Sequence, residues 1–229
     1  ERYSFGEFHQ LTCQIAHLLM DEYGIRPGDR VAILMKNSPE FPLIFMALSS
    51  IGAVAVCLNS WWTSDELKYG FMDSKVKLVF TDEQRLEKIK GFVSEMGVQT
   101  VLCRHQNSDK SDEFWNSLLT SKNNELPRTT IDQDSDFAVM YTSGSTGHPK
   151  GVVMTHRGAI STLMSWHFGL RVLDVMGLGP VPYVDKNNQP YQPCQLVSVP
   201  FFHVSGTHGG LLLALWSGTK LVIMKKWDP

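Results

Sequence analysis

The stretch from Phe137 to Thr155, FAVMYTSGSTGHPKGVVMT, sets a loop rich in glycine and hydroxyl side chains between two apolar runs. The first run, Phe137–Tyr141, predicts a buried strand, and the second, Val152–Thr155, leads into a helical pattern from about His156. Glycines let the backbone of such a loop approach a ligand closely and adopt positive φ angles. Free N–H groups, hydroxyls and one lysine supply hydrogen-bond donors and positive charge. The composition therefore predicts a polyphosphate-binding loop.

Two common nucleotide-binding motifs are absent from the sequence. In the Walker A motif a lysine directly follows the second glycine and Ser or Thr comes next. Here His148 and Pro149 separate Gly147 from Lys150. No G-x-G-x-x-G run occurs, so the dinucleotide-binding fingerprint is missing as well. For a loop of this composition alone, an ordinary Ser/Gly turn between two strands is the alternative.

The segment Thr142–Gly151 (the phosphate loop), TSGSTGHPKG, resembles the phosphate-binding signature of the adenylate-forming superfamily at every position. This superfamily includes acyl-CoA synthetases, firefly luciferases and peptide-synthetase adenylation domains. The resemblance implies that the loop binds the phosphates of ATP and that Lys150 also takes part in catalysis. The implied binding residues are Thr142, Ser143, Gly144, Ser145, Thr146, Gly147 and Lys150.

A second segment, Pro200–Gly206 (the His203 turn), reads PFFHVSG. It resembles the aromatic turn that follows the next strand after the phosphate loop in acyl-CoA synthetases. The resemblance implies that His203 is a catalytic-site residue between the carboxylate and the ATP phosphates. We expect its side chain to face the cleft beside the phosphate loop. The alternative is a structural histidine that packs beside Phe202.

Helical and strand patterns alternate along residues 1–104, and two S/T-x-x-E capping boxes, Ser4–Glu7 and Thr63–Glu66, mark helix starts. Apolar runs predict four strands, at Val31–Met35, Ala53–Leu58, Leu78–Phe80 and Thr100–Cys103. This alternation predicts an α/β fold with a mainly parallel sheet flanked by helices. Ligands of such sheets bind beyond the carboxyl ends of the strands, where the phosphate loop is expected. The resemblance implies the N-terminal part of the large domain of an acyl-CoA synthetase-like fold.

The chain divides into two halves joined by a polar connector. Residues 1–104 form the first α/β half, and residues 105–135 form a connector with a short surface helix. Residues 136–229 form the phosphate-loop half. Within it, residues 169–194 are rich in glycine and proline and predict an irregular insertion that decorates the surface or covers an acyl pocket.

Composition limits the classes of partner. The 229 residues carry a net charge of −2, with 43% hydrophobic residues, as in globular proteins. A near-neutral balance gives no electrostatic case for binding nucleic acid, and no apolar run reaches the ~18 residues of a membrane span. The four cysteines are scattered without a C-x-x-C pair, which argues against a zinc ribbon or a redox pair, and His148, His156 and His208 have no spacing typical of a metal site. Three of the cysteines lie in apolar segments, as free thiols do, which favours a cytoplasmic location, with or without peripheral membrane attachment.

The resemblance implies an ATP-dependent acyl-CoA synthetase that uses ATP, Mg²⁺ and CoA. It would convert a fatty or aryl acid to acyl-AMP and then to acyl-CoA. Other adenylate-forming enzymes, such as a fatty acyl-AMP ligase or a luciferase-like oxidase, and a non-catalytic nucleotide-binding module are the alternatives. The family's Y-G-x-T-E segment, ribose-binding aspartate and C-terminal catalytic lysine have no match here. We therefore expect an N-terminal fragment, without the C-terminal domain, that is inactive alone.

Overall fold

The main sheet has six strands, five of them parallel. The structure, a computed structural model, describes residues 1–105, 112–120, 123–143, 147–179, 181 and 183–224, with the backbone alone for residues 112, 113, 119 and 120. The strands are β1 (Arg30–Leu34), β2 (Val54–Cys57), β3 (Leu78–Asp82), β4 (Gln99–Arg104), β5 (Asp136–Thr142) and β6 (Lys150–Thr155). Their order is β4-β3-β1-β2-β5-β6, and only β6 runs antiparallel to its neighbour. The mainly parallel sheet is confirmed.

Helices connect these strands, and a smaller parallel sheet of β7 (Cys194–Val197) and β8 (Lys220–Ile223) follows. The helices are α1 (Phe5–Asp21), α2 (Glu40–Ser50), α3 (Ser64–Ser74), α4 (Glu83–Ile89), α5 (Asp112–Thr120), α6 (His156–Val175) and α7 (Leu213–Ser217), with a π-helical segment at Ser205–Leu212. Both predicted capping boxes are present at the starts of α1 and α3. No helix in the described ranges is long and apolar enough to cross a bilayer.

Two helices end elsewhere than predicted. The sequence after Asp82 predicts a helix to about Met96, but α4 stops at Ile89, since Gly91 lies just beyond and glycine costs about 1 kcal/mol in a helix interior. α6 continues to Val175, so the first residues of the predicted irregular segment 169–194 are helical. Gly169 weakens the helical pattern in the sequence but does not interrupt the helix.

The predicted connector helix and the last helix also differ. α5 exists, but Phe114 and Leu118 are buried in the core, so it is not a surface helix. The apolar sequence of Thr207–Trp216 predicts one helix, but the chain is π-helical over Ser205–Leu212 and becomes α-helical only in α7. Its glycines lower the α-helical propensity, and π-helical turns are frequent at functional sites.

The core lies on both faces of the main sheet. On β1, Val31 and Ile33 pack into one apolar cluster with α1 and α2, whereas Ala32 and Leu34 pack into a second cluster with α3 and α4. Side chains of a strand alternate between the two faces, so a strand buried on both is apolar throughout. This explains why β1 lacks an alternating polar pattern.

A buried ion pair joins the start of α2 to the end of β4. The Arg104 guanidinium donates through Nε to both carboxylate oxygens of Glu40 at 3.1 Å, and through a terminal nitrogen at 2.8 Å. The Glu40 side chain is fully buried and that of Arg104 is 12% exposed. A buried carboxylate depends on its partner because the interior cannot solvate it.

Arg104→Met leaves Glu40 buried without its guanidinium. We expect the free energy of unfolding to fall by about 3–5 kcal/mol, measured by urea denaturation. The matched control is Arg157→Met, which breaks a two-bond pair with Asp134 whose side chains are 51% and 62% exposed. Its cost should stay below about 1 kcal/mol. Equal losses of unfolding free energy in the two variants would contradict the claim that burial makes the Glu40–Arg104 pair the more important one.

Candidate active site

The phosphate loop lies at the carboxyl edge of the sheet. β5 and β6 form a hairpin in which Thr142 is the register partner of Lys150, so the loop leaves the carboxyl end of β5. Thr142, Ser143 and Lys150 are exposed, and Gly147 has a φ of +103°, which favours glycine. Lys150 pairs with no carboxylate in the described part of the chain. Its charge is thus available to an anionic ligand.

Three of the predicted phosphate-binding residues, Gly144, Ser145 and Thr146, lie outside the described residues. The hairpin register brings Thr142 and Lys150 together, with Ser143 directly after β5 and Gly147 shortly before β6. Their contacts with phosphate remain a prediction.

Helix α3 supports the phosphate loop on both sides. The Tyr141 hydroxyl donates to the Asp73 carboxylate at 2.7 Å and lies 3.3 Å from the carbonyl oxygen of Gly70. The His148 ring stacks on Tyr69 with ring centroids 4.8 Å apart. Burial, and secondly the hydrogen bond to Asp73, raise the pKa of Tyr141 above its ordinary value, so its hydroxyl remains a donor.

The last glycine of the phosphate loop allows close packing on Tyr141. Gly151 is the register partner of Tyr141 across the hairpin. A Cβ atom at Gly151 would lie 3.1 Å from Cγ1 of Val139 and 3.3 Å from Cζ of Tyr141. A larger residue would push the Tyr141 ring away from α3. The glycine therefore has a packing role as well as a place in the motif.

Tyr141→Phe removes the hydroxyl bonded to Asp73 and keeps the ring. We expect the free energy of unfolding to fall by about 0.5–1.5 kcal/mol. Amide hydrogen exchange across the phosphate loop should also accelerate, because α3 no longer holds the end of β5. Tyr69→Phe is the matched control. It preserves the stack on His148 and removes a hydroxyl without a hydrogen bond to another described residue, so both quantities should stay unchanged.

The His203 turn lies at the same edge as the phosphate loop. Phe201 is buried against Phe41 of α2, with ring centroids 5.4 Å apart. Phe202 meets Trp61, just beyond β2, edge-to-face at 5.2 Å. Beyond the turn, the Thr207 hydroxyl lies 3.8 Å from the sulfur of Met140 near the end of β5.

His203 itself is exposed, and its Nδ1 accepts a hydrogen bond from the Ser205 amide at 3.2 Å. The side chain is thus outside the core. Its contact with the phosphate loop remains a prediction, since Gly144–Thr146 lie outside the described residues.

An apolar groove of about 450 Å³ runs between the π-helical segment and α6. Its lining residues are Val153, Met154, Thr155, Gly158, Ala159, Thr162, Trp166, Val204, Ser205 and His208. Two of these lining residues, Val204 and Ser205, directly follow His203 in the chain. Burial lowers the pKa of His208, which keeps this lining residue neutral at pH 7. Sequence reasoning missed the groove, since its two walls come from helices about 40 residues apart.

The model for the family described as "AMP-binding enzyme" matches residues 1–229. The chain belongs to the AMP-binding enzyme family. It is 34% identical over 211 residues to the 4-coumarate–CoA ligase CCL1 of Humulus lupulus, a match covering 91% of this chain and 36% of that protein. It is 31% identical to 4-coumarate–CoA ligase 3 of Arabidopsis thaliana, over 99% of this chain and 38% of that protein. The chain thus spans about two fifths of the length of these curated relatives.

Solved structures of this family share the fold. A Mycobacterium tuberculosis fatty acyl CoA synthetase superposes with a TM-score of 0.79 at 27% identity, covering 100% of this chain and 40% of that one. The N-terminal domain of FACL13 from the same organism superposes with a TM-score of 0.80 at 27% identity, and the match covers 100% of this chain and 52% of that one. ATP-bound MatB from Rhodopseudomonas palustris superposes with a TM-score of 0.80 at 21% identity, and the match covers 100% of this chain and 41% of that one. At this identity the likeness concerns the fold and not the function. The predicted acyl-CoA synthetase-like fold is confirmed.

Proposed function

We propose that this chain is the nucleotide-phosphate-binding part of an AMP-forming acid–thiol ligase. The observation that supports the proposal is that the phosphate loop leaves the carboxyl end of β5, while the Thr207 hydroxyl, just beyond the His203 turn, lies 3.8 Å from the sulfur of Met140 near that same end. In the proposed reaction a carboxylate oxygen attacks the α-phosphate of ATP and pyrophosphate leaves. The CoA thiol then attacks the acyl carbonyl, forms the thioester and releases AMP.

The phosphate loop would stabilise the leaving pyrophosphate. Negative charge moves onto the β- and γ-phosphates as the bond to the α-phosphate breaks. Lys150 and the hydroxyls of Thr142 and Ser143 are exposed and supply charge and hydrogen-bond donors. The Tyr141–Asp73 bond holds the loop base in place before ATP binds. This support reduces the reorganisation needed in the transition state.

We propose that Mg²⁺ binds here mainly through the phosphate oxygens of ATP. No group of three or more His, Cys, Asp or Glu side chains in the described ranges could hold a metal ion. Mg²⁺ prefers oxygen ligands and keeps several waters, so phosphate oxygens and waters would supply most of its coordination, and the hydroxyls of Thr142 and Ser143 are suitable hard donors from the protein. When bound, it would neutralise phosphate charge.

The groove beside His203 is our candidate site for the carbon skeleton of the acid. Its walls include Ala159, Trp166 and Val204, which suit an aromatic ring or an alkyl chain. The relatives named above are ligases of 4-coumarate and a fatty acyl CoA synthetase. We therefore propose an aryl or fatty acid as substrate.

Three buried free thiols, at Cys13, Cys57 and Cys103, support the proposed cytoplasmic location.

The test is ATP–pyrophosphate exchange with the full-length protein that contains this chain, using a panel of aryl and fatty acids. Lys150→Ala should slow adenylate formation about tenfold or more, because one charge-assisted contact worth ~1.5–3 kcal/mol is lost. Lys186→Ala, in an exposed turn, is the control and should leave the rate unchanged. Exchange without acyl-CoA formation would favour an acyl-AMP ligase. ATP binding without exchange would indicate a non-catalytic nucleotide-binding module.

Residues 1–229 alone should form no acyl-CoA. ATP held only through its phosphates lacks adenine and ribose contacts, and the reactants are then not held in a near-attack geometry. The assay incubates the purified chain with ATP, Mg²⁺, CoA and the best acid from the panel. Acyl-CoA formation near the rate of the full-length protein would show that the chemistry depends on residues within this chain.

A further inference from the structure

The side chain of Asn37 forms two hydrogen bonds to the backbone around Pro200. Asn37 lies just beyond the carboxyl end of β1. Its Nδ2 donates to the carbonyl oxygen of Val199 at 2.8 Å, and its Oδ1 accepts from the amide of Phe201 at 2.9 Å. These partners are 162 and 164 residues away in the chain. One amide group therefore fixes the backbone on both sides of Pro200.

This position controls the backbone of His203. β7 ends at Val197, so Val199 and Phe201 have no strand partner in the described part of the chain. The amide of His203 donates to the carbonyl oxygen of Pro200 at 3.2 Å. Because Asn37 fixes the peptide groups on both sides of Pro200, it also fixes the direction of the Pro200 carbonyl. That carbonyl in turn holds the amide of His203.

Asn37 is itself held by a buried ion pair at the same edge. The amide of its neighbour Lys36 donates to the Asp82 carboxylate at 3.1 Å. Asp82 pairs with Arg85, whose Nε donates to the carbonyl oxygen of Ser60 at 3.2 Å. Ser60 precedes Trp61, whose ring contacts Phe202. The loops after β1, β2 and β3 thus hold the His203 turn through Phe201 and Phe202.

We propose that Asn37 is a positioning residue of the active site, acting through His203. It orients the His203 turn toward the phosphate loop and is not expected to touch ATP or the acid. This inference rests on the proposed ligase function. Removing the Asn37 amide should free the backbone at Pro200 and misplace the imidazole, whereas the phosphate loop, held by α3, should keep its geometry.

The structural test is amide hydrogen exchange in the full-length protein. In Asn37→Ala, exchange across residues 199–206 should rise about tenfold or more, with no change across residues 137–155. Asn37→Asp keeps the acceptor for the Phe201 amide and loses the donor to Val199, so it should give an intermediate effect without a large loss of packing. Asn187→Ala, in an exposed turn, is the matched control. Unchanged exchange at 199–206 in both Asn37 variants would overturn the proposal.

The kinetic test is a double-mutant cycle with His203. Asn37→Ala should lower kcat for adenylate formation about tenfold to a hundredfold, as expected for small misplacements of reacting groups, with KM for ATP changed less than about twofold. In a His203→Ala background, Asn37→Ala should cause no further loss, because both act through the same imidazole. Independent, multiplying losses would overturn the proposal.

The two readouts separate the failures. Hydrogen exchange needs no catalysis, so it decides whether Asn37 holds the His203 turn whatever the activity. A wild-type protein without pyrophosphate exchange for any acid overturns the ligase function, and the catalytic part of this inference with it. An active wild type whose Asn37→Ala variant keeps full kcat overturns the positioning role alone.

Discussion

The candidate site depends on the parallel pairing of β1, β2, β3 and β5. Parallel strands all end at one edge, so the loops that follow them meet there whatever their separation in sequence. Asn37, Trp61 and Asp82 stand at three of these ends, and the phosphate loop stands at the fourth. Burial of both faces of the sheet holds the strands in this register, because a slip of one residue would move every side chain to the opposite face.

The edge loops are held by side chains that replace missing backbone partners. Beyond the strand ends the ladder stops, yet buried or half-buried N–H and C=O groups still need hydrogen bonds. Asn37 meets this need for the amide of Phe201, and Asp82 meets it for the amide of Lys36. Helix α3 holds the end of β5 through Asp73 and Tyr141. The end of β5 and the backbone around Pro200 are therefore held in place, while Lys150 and His203 are exposed.

A held backbone with exposed polar side chains suits a site for an anionic ligand. Exposed donors lose little when they exchange water for phosphate, and a fixed backbone limits the entropy lost on binding. The groove adds an apolar surface along α6, lined also by the two residues that follow His203 in the chain. If the proposed function holds, the charged phosphates and the apolar part of the acid would bind next to each other without burying an unpaired charge.

The sequence by itself determined most of the local elements and the donor-rich composition of the phosphate loop. Capping boxes, apolar strands and the TSGSTGHPKG motif all depend on residues within about ten positions of one another, so they were predictable. Only the tertiary structure decided that α3 supports the phosphate loop across 68 residues, that Asn37 holds the His203 turn across more than 160, and that Phe114 and Leu118 are buried. The reason is physical: these contacts form between segments that meet only after the sheet has assembled, and no periodicity in the chain encodes them.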